Sequence, residues 1–180
     1  MNTHSQGILG FLHGLQSVHW EKDLERSIPR LYNYFRYRGL DDGTAEELTF
    51  QTIARAWVKR DRYDAGRGKL IPWLLTIARH ELADHWRREA FHAAAQPLTE
   101  DLPDSTPKPE AACQSRELND QLRAALMELS PQHQELIALK YGAGQNNRQI
   151  ARQMEMTESN VGTTLSRIVA QLRVKLKEQP

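Results

Sequence analysis

Residues 149–168 read QIARQMEMTESNVGTTLSRI, and two apolar rhythms lie in and beyond this stretch. Ile150, Ala151 and Met154 fall on one face of a short helix. Val161, Leu165, Ile168, Leu172 and Leu176 fall on one face of a longer one, spaced as the helical period requires. Between them Thr157 stands where an N-cap is needed. Short helix, tight turn, longer helix is the helix-turn-helix pattern. With the apolar stripe turned inward, Ser159, Asn160, Thr163, Ser166 and Arg167 form or border the outward face. Short polar side chains there reach base edges, and an arginine meets guanine or phosphate. A helical hairpin with a solvated outer face has the same rhythm, so the flanking sequence has to decide between them.

Upstream, Gly142-Ala-Gly144 breaks the chain, and Ser130-Pro131 reads as an N-cap followed by proline at the first helical position. Leu118, Leu122, Ala125, Leu126 and Leu129 mark the helix before it. From Ala93 to Pro109 there are four prolines and no apolar period, which predicts a linker. The first half is helical as well. Ile28, Leu31, Tyr32 and Phe35 mark one stripe, and a break follows at Gly39 to Gly43. A helix over about 44–60 turns Ala45, Leu48, Thr52 and Ala56 one way and Glu47 and Gln51 the other. A turn at Asp64-Ala-Gly-Arg-Gly68 precedes a long helix over about 70–88, with Leu70, Leu74, Ile77 and Ala78 inward. The fold class is therefore all-α. An N-terminal extension (1–20) precedes two small helical domains, 21–92 and 116–180, joined by an acidic, proline-containing linker, 93–115.

The chain has 180 residues, 39% hydrophobic and 26% charged, which suits globular domains of this size. Its longest apolar run, Leu70 to Ala78, is too short to span a bilayer. No basic start precedes Lys22, so a soluble, cytoplasmic protein is expected. The single cysteine, Cys113, excludes an internal disulfide and a cysteine zinc cluster. Net charge is only +1, but it is unevenly spread: 14 Lys/Arg against 12 Asp/Glu in residues 21–90, 2 against 6 in 91–120, and 8 against 5 in 121–180. Two mildly basic segments flank an acidic one, which points to two phosphate-facing patches.

The segment Arg79-His-Glu-Leu-Ala-Asp-His85 resembles a zinc-protease helix only superficially. Its histidines are five apart, about 140° around a helix, and diverge. Gly66-Arg-Gly68-Lys69 lacks the spacing of a phosphate loop. No metal, cofactor or catalytic residue is expected, and the chain is not read as an enzyme. More informative is the load of aromatics among cations: Trp57, Tyr63, Trp73 and Trp86 near Arg60, Arg62, Arg67, Lys69, Arg79, Arg87 and Arg88. Unpaired bases bind such surfaces by stacking and phosphate neutralisation.

In sequence order these segments resemble the extracytoplasmic-function sigma factors of bacterial RNA polymerase. Arg30-Leu-Tyr-Asn-Tyr34 is similar to the first helix of region two. Ala45-Glu-Glu-Leu48 with Arg55-Ala-Trp57 resembles the core-binding helix. Asp64-Ala-Gly-Arg-Gly68, Trp73-Leu-Leu-Thr-Ile-Ala-Arg79 and Asp84-His-Trp-Arg-Arg88 resemble the promoter-melting segment, and Leu129-Ser-Pro131 through Leu172-Arg173 resembles region four. The resemblance implies core RNA polymerase and promoter DNA as partners and, as members of the family often have one, an anti-sigma factor. It implies polymerase contacts at Glu46, Glu47, Phe50 and Gln51. It implies minus-ten contacts at Arg62, Tyr63, Asp64, Lys69, His80, Asp84, Arg87 and Arg88, and minus-thirty-five contacts at Ser159, Asn160, Thr163, Ser166 and Arg167. The chain departs from the family at Phe50-Gln51 (usually Gln-Glu), at Glu155 (usually glycine, so that a differently shaped turn is expected), and at Gly162 and Thr164 (usually cations). A stand-alone helix-turn-helix regulator is the alternative. It would use 116–178 for DNA and 21–90 for a ligand or dimer partner, and would have no need of the aromatic, basic first domain.

Overall fold

The structure, a computed structural model, describes residues 20–95 and 121–178, and all regular secondary structure among them is helical. Expectations for residues 1–19 and 96–120, including most of the linker and Cys113, lie outside the described residues.

Helix α1, Trp20–Tyr37, buries Leu24, Ser27, Leu31, Tyr34 and Phe35. The stripe expected from sequence is rotated: Ile28 is 43% exposed and Tyr32 only half-buried, so these two line the outer side of α1. Helix α2, Asp42–Val58, starts two residues earlier than its apolar rhythm predicts because Asp41 caps it. The Asp41 carboxylate accepts from the Thr44 N–H at 3.0 Å, and that bond holds its pKa below the ordinary value. Ala45, Leu48, Thr52 and Ala56 are buried as the spacing requires. The turn between α1 and α2 is clipped by Arg36, which pairs with Asp42 at 3.1 Å, while the Tyr32 hydroxyl donates to the same carboxylate at 2.7 Å.

A 3-10 turn, Arg60–Arg62, leads into an irregular loop, and helix α3 runs Leu70–Ala95. It extends seven residues past the expected end at Arg88 and three into the stretch read as linker. Residues 89–95 are mostly alanine and other helix formers, and the first proline comes only at position 97.

In the second half, α4 is described over 121–127. Helix α5, Pro131–Ile137, is capped by Ser130 and passes into a π-helical turn, Ala138–Gly142. Helix α6, Asn147–Met154, opens on a reciprocal cap in which Asn146 and Gln149 satisfy each other's backbone. Helix α7, Glu158–Glu178, opens on Thr157, whose hydroxyl accepts from the Asn160 N–H at 3.2 Å. Val161, Leu165, Ile168 and Leu172 are buried beneath it. Short α6, turn and long α7 form the helix-turn-helix. Its corner corrects one expectation: Glu155 adopts φ 54°, ψ 41°, the left-handed shape a glycine would take there, and its N–H closes α6 on the Ala151 carbonyl.

The two halves also touch. Helix α1 crosses the π turn so closely that a Cβ on Gly142 would stand 2.8 Å from the Asn33 carbonyl oxygen and from the Tyr34 backbone. Arg30 donates to the carbonyls of Ala143 (2.7 Å) and Gly144 (3.1 Å). Next to this crossing the Glu135 side chain, 11% exposed, accepts from the Tyr34 hydroxyl (2.9 Å), from Arg38 (2.5 Å) and from Arg79 (2.7 Å).

Left-handed backbone costs a non-glycine residue about 1–2 kcal/mol, and glycine loses back roughly 0.5–1 through its freer unfolded chain. Glu155→Gly is therefore expected to stabilise the protein by about 0.5–1 kcal/mol. A urea titration followed by circular dichroism checks this, with a raised midpoint as the expected result.

Candidate functional site

Three surfaces hold the residues that the sequence singles out. The first is the outer face of α1 and α2. Glu46 and Glu47 are exposed, Gln51 is half-buried, and its amide donates to Glu47 at 2.7 Å, one helical turn away. Phe50 is 76% exposed. Beside it Ile28, Pro29, Tyr32, Glu46, Thr49 and Ile53 complete a groove of about 420 Å³. The groove is almost wholly apolar in its lining, which suits it to apolar side chains of another protein. Sequence reading named Phe50 but placed Ile28 in the core. Side chains from two helices make the groove, and neither helix shows it alone.

The second surface is in two parts: Tyr63 and Lys69 of the loop line a groove with Asp23, Arg26 and Arg30 of α1, whereas Asp84, Arg87 and Arg88 of α3 line a separate one with Gln51 and Arg55 of α2. Arg62, Asp64 and Lys69 are exposed, as are His80, Arg87 and Arg88, while Tyr63 and Asp84 are half-buried. Asp84 pairs with Arg87 at 2.5 Å, and this pair partly neutralises the face. On the neighbouring ridge Arg60 lies 5.0 Å over the Trp57 ring, a cation–π contact on a half-exposed tryptophan. No group of three or more metal-ligating side chains occurs among the described residues, His80 and His85 included.

Tyr63 is held from three sides. Its ring meets Trp20 edge-on with centroids 5.5 Å apart and Trp73 tilted at 5.3 Å, and Trp20 meets Trp73 at 6.0 Å. Its hydroxyl donates to the Gly68 carbonyl at 2.8 Å, across the base of the loop. Partial burial, then Asp23 and Asp64, pushes its pKa above the ordinary phenol value, so it remains a donor. The tyrosine thus pins the loop and shows the solvent only part of its ring. Trp20 was missed because it falls at the end of the stretch read as an extension. Its contacts are with residues more than forty positions away in sequence.

The third surface is α7. Ser159, Asn160, Thr163, Ser166 and Arg167 are all exposed and share the outward side of the helix. A groove of about 690 Å³ runs beside them, with Lys140, Tyr141 and Arg173 on its walls. Asn160 accepts from Thr164 at 3.2 Å, one turn on. Where the family pattern has a cation, Gly162 faces Asn147 of α6: a Cβ there would lie 3.4 Å from the Asn147 amide nitrogen, an ordinary contact, and Asn147 in turn accepts from Lys140.

Glu135 and Arg38 were not singled out by sequence; Tyr34 entered only within the segment similar to the first helix of region two, and Arg79, expected among the cations beside the aromatics, is instead paired with Glu135. The available signal was a lone acid just ahead of the apolar run Leu136-Ile-Ala-Leu139.

Known proteins align with both halves. The family models of sigma-70 region 2 and sigma-70 region 4 match residues 24–92 and 119–172. The chain is 32% identical over 130 residues to the RNA polymerase sigma factor CarQ of Myxococcus xanthus, covering 72% of each. It is 30% identical over 145 residues to the ECF RNA polymerase sigma factor BldN of Streptomyces coelicolor, covering 79% of this chain and 54% of that protein. The chain thus spans about half the length of BldN. Among solved structures, the sigma factor RpoE in complex with the anti-sigma factor NepR from Bartonella quintana superposes with a TM-score of 0.63 at 23% identity, over 89% of this chain and 98% of that one. CnrH in complex with the cytosolic domain of CnrY superposes with a TM-score of 0.65 at 18% identity, over 96% and 97%. These superpositions establish the shared helical fold.

Removing only the Tyr63 hydroxyl isolates the loop pin. Tyr63→Phe keeps the ring contacts but loses one hydrogen bond, a net loss of about 0.5–1.5 kcal/mol. The expected outcome is faster trypsin cleavage at Arg62, Arg67 and Lys69, by a few-fold, with the global melt nearly unchanged. Mass mapping of the early fragments checks it.

Proposed function

The chain belongs to the extracytoplasmic-function group of sigma-70 factors, and from that premise we propose that it binds core RNA polymerase and directs promoter-specific initiation. The observation that carries this reading is the pairing, on one chain, of an exposed helix-turn-helix face with a second basic, aromatic loop face. A regulator that reads only duplex DNA needs the first and not the second.

Each surface is given the task its chemistry suits. The apolar groove around Phe50, rimmed by Glu46, Glu47 and Gln51, docks on the polymerase. Phe50 takes the place of a polar contact usual in the family, so docking here relies more on apolar burial. The loop 61–69 and the outer side of α3 hold the displaced minus-ten strand. Arg62, Lys69, Arg87 and Arg88 meet phosphates there, and Asp64, His80 and Asp84 face the bases. Tyr63 stacks only with the part of its ring that Trp20 and Trp73 leave free, and it keeps the loop in shape for the others. Ser159, Asn160, Thr163, Ser166 and Arg167 read the minus-thirty-five element in the major groove. Short hydroxyl side chains dominate that face and Gly162 and Thr164 add no charge, so binding of duplex DNA by this half alone is weak.

The net charge of +1 supports the same division of labour. Little counterion release is available to the free chain, and non-specific DNA binding stays low until the polymerase supplies further contacts. The further partner is, as the family implies, an anti-sigma factor. The expected compartment is the cytoplasm. No described helix is long and apolar enough to cross a membrane.

Two measurements test the reading. Run-off transcription with purified core polymerase and a promoter library is expected to yield defined start sites only when the chain is added. Phe50→Glu replaces a side chain that contributes little to the core, being 76% exposed. It is expected to weaken core binding at least ten-fold in a titration while leaving the melting curve in place. A second prediction concerns sequence discrimination. A base-reading arginine is worth about 1–3 kcal/mol of discrimination, whereas a phosphate contact weakens all sequences alike. Arg167→Ala is expected to flatten base preference at one minus-thirty-five position in a reporter library, and a uniform loss would mark Arg167 as a phosphate contact.

A further inference from the structure

We infer that Phe91 is a further specificity-determining residue, whose ring lies against a thymine C5-methyl group in the duplex just upstream of the minus-ten element; this rests on the promoter reading above. Phe91 belongs to the part of α3 that runs on past Arg88. It is 71% exposed, so it adds almost nothing to the core, and its ring meets only the edge of its neighbour His92, with centroids 6.2 Å apart. At a step of about 100° per residue, Phe91 stands within about 20° of His80 and Asp84 and within about 60° of Arg87 and Arg88. One face therefore runs from His80 to Phe91, polar and charged along its length and closed by a single phenyl ring.

The surroundings of the ring suit a polyanion. Arg55 of α2, Arg87, Arg88 and His92 line one groove with it, of about 470 Å³. The acids of that groove are engaged: Glu81, 3% exposed, pairs with Arg55 at 2.6 Å, and Asp84 pairs with Arg87. Glu89 falls on the opposite side of the helix. An apolar ring among cations is poorly placed for water and well placed for a nucleic acid, which offers phosphates and apolar base atoms together.

Such a ring meets DNA in two ways: it stacks on an unpaired base, or it lies against the methyl group of a paired thymine in the major groove. Position decides between them. The loop 61–69, which takes the displaced strand in the reading above, precedes the N-terminal end of α3. Phe91 lies about 30 Å along the helix from that end, and about 10 Å, or roughly three base steps, beyond Asp84. From α3 the chain runs through residues 96–120 to α7, whose face is assigned the minus-thirty-five element. The C-terminal end of α3 therefore points upstream, where the strands are paired again and no free base is offered for stacking. What a phenyl ring can read in an intact major groove is the thymine methyl; cytosine lacks it, and the purines present polar edges there. Arg87 and Arg88 hold the flanking phosphates and so keep the ring against the groove.

The test uses holoenzyme assembled from core polymerase and the full chain, on a promoter library randomised between the two elements. The unmutated chain is expected to favour thymine at one position a few base pairs upstream of the minus-ten element. Replacing that thymine by deoxyuridine removes only the methyl group and is expected to lower complex formation about four-fold, the weight of one buried methyl. Phe91→Ala is expected to lose the thymine preference and to bind thymine and deoxyuridine promoters alike. Its melting curve, its core affinity and its preferences within both elements are expected to stay. Phe91→Leu keeps an apolar contact and is expected to retain part of the preference. A thymine preference that survives in Phe91→Ala overturns the inference. So does a Phe91→Ala defect confined to core binding, which marks a polymerase contact, or confined to open complexes, which marks a ring stacked on an unpaired base. Defined start sites without any upstream thymine preference sink this contact alone. If the unmutated chain yields no defined start sites, the promoter reading fails and this contact fails with it.

Discussion

One buried carboxylate organises this molecule. Glu135 lies on a face of α5 that is otherwise apolar, and a charge in such a place is costly unless it is paired and hydrogen-bonded. It finds two guanidinium groups and a phenol on two different helices of the other half. The cluster adds little net stability, since a well-packed apolar replacement would serve as well or better in free energy. Its effect is on register. Only one placement of α5 against α1 and α3 brings Tyr34, Arg38 and Arg79 together. In that placement the Gly142 turn lies against the α1 backbone, and the carbonyls of Ala143 and Gly144 meet Arg30.

The outer surfaces follow from what this packing uses. Helix α1 gives Leu31, Tyr34 and Phe35 to the interior, which leaves Ile28 and Tyr32 to join Phe50 and Ile53 in an open apolar groove. Helix α3 gives Leu74, Leu75, Ile77 and Ala78 inward, so its cations toward the C-terminal end stay in solvent. Helix α7 is packed on one side only, and its hydroxyl-bearing side remains free. Each surface has modest charge and modest area. Strong recognition needs them in combination.

Much of the fold was legible because helical period is a local property. The inward residues of α2, and those of α7 as far as Leu172, were read correctly from spacing alone, as were the caps at Ser130 and Thr157; Leu176, expected in the same stripe, is only half-buried. Errors came where tertiary contacts overrode a local rule. Ile28 fits the period of a core stripe but faces outward, since what decides it is the helix packed against α1. The end of α3 was set seven residues short because nothing in the sequence stops the helix before Pro97. At Glu155 the need for a sharp corner between α6 and α7 outweighs the steric cost of left-handed backbone.

Of the candidate site, the sequence alone determined the helix-turn-helix, its outward residues, and a first domain rich in cations and aromatics. These depend on residues within a few turns of each other. The tertiary structure alone decided the aromatic pin of Trp20, Tyr63 and Trp73, the apolar groove shared by α1 and α2, and the contact between the two halves. Tyr34 and Glu135 are 101 residues apart in sequence, and no local rule connects them. An ion pair leaves no period in the chain; it exists only where folding places the partners together and water is excluded.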